Sequence, residues 1–404
     1  MNTSAPELIR QGSHAFSVGQ MALAADLLGQ AASLMKSDDH GRLELLPNLG
    51  SALARAGQLA RADAVLNEAI DRTVVIGDQR LASHARVERA LWRVWSDPDS
   101  EGEARSTAED ALRVFEEHQD ELGLAKAWRL LHDVAPTWDE GQEALTRALE
   151  HARRSGDQRE EADSLWWVGV YLVFGPTHAE EAIGRCEEIL AGRKYDGTVR
   201  AGSLGVLGVL YAMRGRFAEA REHFAECIAI LDELGIKLRV VTRQHFLADI
   251  ELLADNPAAA EQAMRWAYDR ELEMGEKADI PGTTNRLAEA LYRQGRYEEA
   301  AQWIEIGGGR GIRALLAARR GEFQQAETLA REMVAMTERG QNFNARGTAQ
   351  MRLAEVLSMA GRSGEAASAL NDAIQLYERK GNLVSGQAAR VLLEKLSIGD
   401  VSSG

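Results

Sequence analysis

One short pattern constrains this chain more than anything else in it: a glycine, any residue, an apolar or aromatic residue, two further residues, then an alanine. Clear copies run Gly19–Ala24, Gly57–Ala62, Gly215–Ala220, Gly295–Ala300, Gly321–Ala326 and Gly361–Ala366, and weaker copies end at Ala104, Ala144, Ala182 and Ala260. The successive alanines stand 38, 42, 40, 38, 38, 40, 40, 26 and 40 residues apart. A fixed period of this size marks a stack of repeated structural units. Between these marks falls a second punctuation, at Gly77-Asp78, Gly156-Asp157, Gly235, Gly275, Gly340 and Gly381-Asn382. Glycine just past a helix supplies the left-handed turn that other residues resist. Each unit therefore reads as two helices of roughly 13–17 residues joined by a tight turn.

Spacing inside a unit is helical. In Leu204-x-x-Leu207-Gly208-x-x-Tyr211, followed by Ala220-x-x-x-Phe224-x-x-Cys227, apolar residues three and four apart share a face. Gly208 is expected to let the facing helix come close. Pro98, Pro136, Pro176 and Pro257 fall in turns between first and second helices, and Pro6 and Pro281 near helix starts, where a missing N–H costs nothing. Pro47 is the exception. Sustained two-residue alternation is absent, so no sheet is expected. An isolated helix pair cannot bury its apolar stripe, but stacked neighbours can. The predicted fold is all-α: a right-handed α-solenoid of about ten helix-turn-helix units. With 404 residues, the chain also exceeds the size at which one compact core stops growing, about 250–300 residues. The expected divisions are an array over 1–306, a second array over 307–396 after the shortened unit, and a disordered polar tail over 397–404.

The Leu-Gly-x-x-Tyr and Ala-x-x-x-Phe pieces resemble the tetratricopeptide (TPR) signature, with a period longer by roughly one helical turn. RLELLPNLGSAL at 42–53, HARRSGDQREEA at 151–162, EEAIGRCEEIL at 180–190 and YERKGN at 377–382 further resemble the C-terminal TPR region of actinobacterial regulators that carry an adenylate or guanylate cyclase domain or an AAA-type ATPase domain. The resemblance implies a non-enzymatic scaffold in bacterial signalling, with a cyclase- or ATPase-type partner possible. It carries over no catalytic residue. The chemistry of that group lies in upstream domains, and this chain has no Gly-x-x-x-x-Gly-Lys-Ser/Thr phosphate loop.

Composition narrows the partners. A formal charge of −15 opposes a sequence-independent grip on nucleic acid and favours a basic or amphipathic protein or peptide. No apolar stretch approaches the roughly 20 residues that cross a bilayer, and no secretory leader is recognisable; the expected location is cytoplasmic. The nine histidines are scattered, and Cys186 and Cys227 cannot build a thiolate zinc site. No metal and no cofactor is expected, and both thiols read as small buried side chains.

First helices usually line the inner surface of such a stack. Counting from the packing residues, the floor falls on Ala162, Leu165, Gly169 and Leu172 in the fifth unit. It falls on Gly202, Gly205, Val209 and Ala212 in the sixth, and on Gly282, Asn285, Glu289 and Tyr292 in the eighth. The fifth and sixth units then offer an apolar strip for a partner segment, and the eighth a polar one. Six of eight tryptophans lie between 92 and 167. Trp167 falls on the core register and Trp166 one residue off it, so Trp166 is the ring expected to be partly exposed. Gly307-Gly-Gly-Arg-Gly-Ile-Arg313 looks like a phosphate-cradling loop with Arg310 and Arg313 as its cations, but such a loop normally follows a strand. The alternative is a glycine-rich link covering the shortened unit, able to act as a hinge. Two functional readings follow: a scaffold binding a protein or peptide on its concave surface, or a ligand-sensing regulatory module whose curvature controls a cyclase, ATPase or transcription-factor partner.

Overall fold

The computed structural model describes residues 4–191 and 197–401, without the side chains of 398–401. In chain order the pairs are α1 (Ala5–Ser17) with α2 (Met21–Leu34), α3 (His40–Arg55) with α4 (Leu59–Ile76), α5 (Gln79–Ser96) with α6 (Glu101–Glu117), α7 (Glu121–Asp133) with α8 (Trp138–Ser155), and α9 (Gln158–Phe174) with α10 (Ala179–Ala191). Next come α11 (Gly197–Met213) with α12 (Phe217–Glu233), then a broken helix, α13 (Lys237–Thr242) and α14 (Gln244–Leu253), with α15 (Pro257–Met274). The last pairs are α16 (Ile280–Arg293) with α17 (Tyr297–Gly307), α18 (Arg310–Arg319) with α19 (Phe323–Glu338), and α20 (Phe343–Met359) with α21 (Ser363–Lys380). A single helix, α22 (Leu383–Val401), closes the array. The described residues contain no strand. The fold is the all-helical repeat stack expected, with ten pairs and one closing helix.

The repeat marks have a simple cause. The six clear repeat glycines sit in the turn from first to second helix at φ between 76° and 84°, where a side chain would meet the backbone. Five of the six later stops, at Gly77, Gly156, Gly235, Gly275 and Gly381, are left-handed too, while Gly340 is not. Gln119 and Asp255 take the same conformation where a unit lacks the glycine. All ten marker alanines are buried, none above 5% exposed. Each lies near the start of its second helix, facing the first. Gly208 behaves as expected: a Cβ there would stand 3.0 Å from the Ala220 carbonyl oxygen. Pro47 lies inside α3.

Three features go beyond the sequence reading. The glycine-rich link at the shortened unit is brief and joins two short helices, of 11 and 10 residues. Helix α17 runs through Gly307 and α18 starts at Arg310, so only two residues separate them. One apolar core, from Val241 to Ala389, runs across the junction. Next, α22 continues to Val401, past the point where a polar tail was expected; 402–404 lie outside the described residues.

Finally, units touch more than their neighbours. Met21 N–H donates to the Leu234 carbonyl at 2.8 Å, Lys277 and Ala278 N–H donate to the Trp95 carbonyl at 2.6 and 3.1 Å, and the Gln341 amide donates to Asp139 at 2.7 Å. Lys380 Nζ, fully buried, donates to the carbonyls of Leu172, Gly175 and Thr177 at 2.8, 3.0 and 2.8 Å. These contacts tie the first unit to the end of the sixth, the third to the seventh–eighth link, the fourth to the ninth–tenth link and the fifth to the tenth. The superhelix therefore completes a turn in about five units and closes on itself.

Candidate functional site

First helices do line the inner surface, and what they bring there is charge. On α9, Arg159, Glu160 and Asp163 turn inward within one helical turn of each other. Asp163, 1% exposed, sits among three guanidinium groups. Arg55 of α3 grips both its oxygens at 2.8 and 2.6 Å, Arg159 reaches it at 3.2 Å and Arg239 of α13 at 3.0 Å. Beside it Arg129 of α7 holds Glu160 at 2.5 Å, and Lys126 holds Glu88 of α5 at 2.9 Å. Burial pushes the Glu88 and Asp163 carboxyls up, and the neighbouring cations more than offset it. Glu88 is held at about 2 by Lys126, Arg129 and Arg55, and Asp163 lies well below the usual range. Buried charges survive only when paired in this way.

The pairing is incomplete at one place. Six cations (Arg55, Lys126, Arg129, Arg159, Arg239 and Arg243) face five acidic side chains (Glu88, Asp133, Glu160, Asp163 and Asp279). Burial raises Asp133 to about 7. Arg239 and Arg243 stack on Trp166, each with its guanidinium carbon 3.9 Å from the ring centre. Burial pulls Arg243 down to about 10 and Arg239 well below its ordinary value. The net charge of −15 thus belongs to the outside and does not describe the interior.

Cavities follow the same division. A cavity of about 370 Å³ opens onto Arg55, Glu88, Lys126 and Arg159. A tighter one of about 160 Å³ is walled by Trp92, Trp95, Trp166, Trp167, Arg239 and Arg243. In the C-terminal half two larger cavities, about 460 and 410 Å³, share Asn285, Glu289, Met333, Thr348 and Arg352. The larger also carries Asn342, Asn344 and Asn382. Glu289 is clamped by Arg293 at 2.7 Å and Arg352 at 2.5 Å. Asn382 donates to Asn344 at 3.0 Å.

The expected floor is found in part. Asn285 and Glu289 lie in both C-terminal cavities, Gly282 in one, and Val209 in the other. Tyr292 faces a separate cavity of about 450 Å³ against α22. In the fifth and sixth units the apolar strip is not a free surface. Leu165, Gly169, Leu172, Gly202, Gly205 and Ala212 are buried by other parts of the chain. The glycines make room rather than expose backbone: a Cβ on Gly202 would meet Trp166 at 2.9 Å, and one on Gly205 would meet the Cys227 sulfur at 3.2 Å. Helix α11 is buried nearly all round, wedged between α9, α10, α12, α14 and α22. In α9 the inward row is Asp163, Trp166–Trp167, Val170 and Phe174, one to two residues on from the row expected. One residue is about 100° of helix rotation, enough to exchange an inner for a lateral face. Trp166 is accordingly 6% exposed and Trp167 the more open ring.

Arg310 and Arg313 each lie near a different acidic side chain. Arg310 lines the 410 Å³ cavity and approaches Glu332 at 3.9 Å; Arg313 pairs with Glu305 at 3.4 Å. The glycine run has a packing reason. A Cβ on Gly307 would collide with Thr284 Oγ1 at 1.8 Å, and one on Gly309 with Asn285 Oδ1 at 2.1 Å, so only glycine lets this link lie against α16. Burial pushes Cys186 up to about 12 and Cys227 to about 11. Among the described residues no group of three or more His, Cys, Asp or Glu is placed to hold a metal ion. Nor is any helix long and apolar enough to cross a membrane.

Sequence reasoning missed the buried charge array because a charged residue is normally read as solvated. The tryptophan cluster was its available signal, since four of those rings wall the central cavity.

No curated protein matches the sequence. Among solved structures, the yeast Tom70 crystal structure is similar at 13% identity, covering 98% of this chain and 89% of that one, with a TM-score of 0.42. A Rap protein complexed with Competence and Sporulation Factor is similar at 13% identity, 90% and 100% coverage and 0.43. The apo quorum sensor NprR from B. thuringiensis gives 14%, 92% and 97%, and 0.42. Models of the tetratricopeptide repeat match residues 200–233, 281–305 and 308–332, which are the pairs α11–α12, α16–α17 and α18–α19, so the chain carries tetratricopeptide repeats.

Proposed function

We propose that this protein is a non-catalytic scaffold that holds an extended peptide segment in the inner channel of its C-terminal half. The single observation behind this reading is the pair of adjoining cavities lined by side-chain amides and paired charges. An extended peptide presents unpaired backbone N–H and C=O groups, and asparagine offers both a donor and an acceptor to match them. Asn285 is exposed in the channel. Glu289, between two arginines, fixes the neighbouring wall. Volumes of about 460 and 410 Å³ fall in the usual range for a bound ligand, about 300–1,000 Å³. A regulatory setting with a cyclase- or ATPase-type partner, and a basic or amphipathic segment as the bound element, rest on the sequence resemblance and net charge.

The test is selection of a random peptide library on the purified chain, followed by affinity measurement on the enriched sequence. Asn285→Trp fills the channel from an exposed position and should weaken binding at least tenfold without lowering the melting temperature. Failure to enrich any sequence, or an enriched peptide that binds the blocked variant equally well, would overturn this assignment.

A further inference from the structure

The 160 Å³ cavity at the centre of the superhelix is built differently from the peptide channel. Arg243 stands at the break between α13 and α14 and is 5% exposed. Its Nε and Nη2 are buried and bond to no protein atom, and Arg239 Nη1 is in the same position. Nε and Nη2 form one edge of the guanidinium plane, the fork that meets two oxygens of a carboxylate or phosphate at once. Both arginines stack on Trp166, at 3.9 Å each, and Arg243 also lies 4.3 Å from the Phe246 ring centre. The fork is thus held in place by rigid rings. Its chemistry is unsatisfied: Asp163 is already shared by three arginines. Asp133 and Asp279 face the cavity but make no ion pair with Arg243 among the described residues.

We propose that Arg243 and Arg239, backed by Trp166, form a binding site for a small oxyanion, a carboxylate or phosphate group on a compact molecule. An anion on the Arg243 fork would satisfy its two buried donors and offset the repulsion between two like charges stacked on one ring. Size limits the ligand. At about 160 Å³ the cavity is well below that of a drug-sized site, about 300 Å³ and upward, so a peptide chain is excluded and a small acid fits. Trp92, Trp95 and Trp167 supply an apolar wall for the ligand's body. The site joins α5, α7 and α9 to α13–α14 and α16, so a bound anion links successive turns of the superhelix.

The test uses the full chain with inorganic phosphate, acetate and benzoate as probes, against chloride at matched ionic strength. Tryptophan fluorescence gives the affinity and thermal melts the stabilisation. At least one probe should bind saturably and raise the melting temperature. A phosphate preference identifies a phosphorylated ligand; benzoate over acetate identifies an aromatic acid against the tryptophan wall. Arg243→Met should melt at or above wild type in chloride, because it removes an uncompensated buried charge. It should also lose at least tenfold in affinity. Arg243→Lys keeps the charge without the fork and should fall between the two. Absence of any saturable response in wild type, or equal affinity in wild type and both variants, would overturn the proposal.

Discussion

The two halves of the superhelix solve the same problem with opposite chemistry. In the N-terminal half the inner surface is filled by buried ion pairs, and its apolar core is divided into several patches. In the C-terminal half a single apolar core runs from Val241 to Ala389, and the inner surface stays open as an amide-lined channel. One inner ion-pair group, Glu289 with Arg293 and Arg352, lines that channel, and further pairs form an outer ladder along the second helices. Arg296 bridges Glu299 and Glu261 of the preceding unit, and Arg362 bridges Glu365 and Glu327 in the same way. The contrast shows that one repeat scaffold can keep its helix geometry while exchanging what it encloses. An interior held together by buried charge resists substitution at those charges.

Four measurements would break or sharpen this contrast. The largest effect is expected from Asp163→Ala, which removes the carboxylate shared by Arg55, Arg159 and Arg239. Denaturant melts should show a loss of about 3–5 kcal/mol, the cost of breaking a buried charge cluster; a loss below about 1 kcal/mol, the level of a surface pair, would mean the array is solvated. Next, Lys380→Met leaves three carbonyls at the end of α9 without their donor, and should cost about 2–4 kcal/mol. Hydrogen exchange at α9 and α10 should accelerate with it, and unaltered exchange there would show that the last unit does not hold the fifth.

The third effect has the opposite sign. Burial raises Glu276 from 4.5 to about 8 and Glu271 to about 7. Both bind protons more tightly folded than unfolded, so their contribution falls as pH rises from the unfolded value near 4.5 through the folded values. Glu276→Gln should therefore melt higher than wild type at pH 8, with the advantage gone at pH 4. A difference between the two proteins that is independent of pH would refute the buried-acid account. The smallest change belongs to Arg362→Ala in the exposed ladder, where the melting temperature should move by too little to resolve.

Helices, turns and repeat boundaries were legible in the sequence because they rest on local chemistry: a left-handed glycine, a small alanine facing the next helix, apolar residues three and four apart. The lining of the interior was legible only where a unit's inner face is polar, as at Asn285 and Glu289. In the fifth unit the apolar rows mark the sides that pack on neighbours, so counting from Trp167 placed the inner row one residue away from Asp163 and Trp166. The partners of Asp163 come from positions as distant as Arg55 and Arg239, and no local spacing announces such a meeting. The apolar strip through Leu165 and Val209 looked open for the same reason: nothing in the sequence says that the superhelix closes in five units. Aspartate at those two positions would disrupt packing rather than report on a partner.

That closure also sets an order of events during synthesis. Lys380 emerges from the ribosome 208 residues after Leu172, whose carbonyl it caps. Until then the carbonyls at the end of α9 wait for this donor, although the first turn can already close through Met21 and Leu234. Final locking depends on contacts far apart in the chain, which slows folding and makes the last units a checkpoint for the whole. A chain cut before α21 should keep its helices and its first closed turn while the end of α9 loses its tie to the last unit.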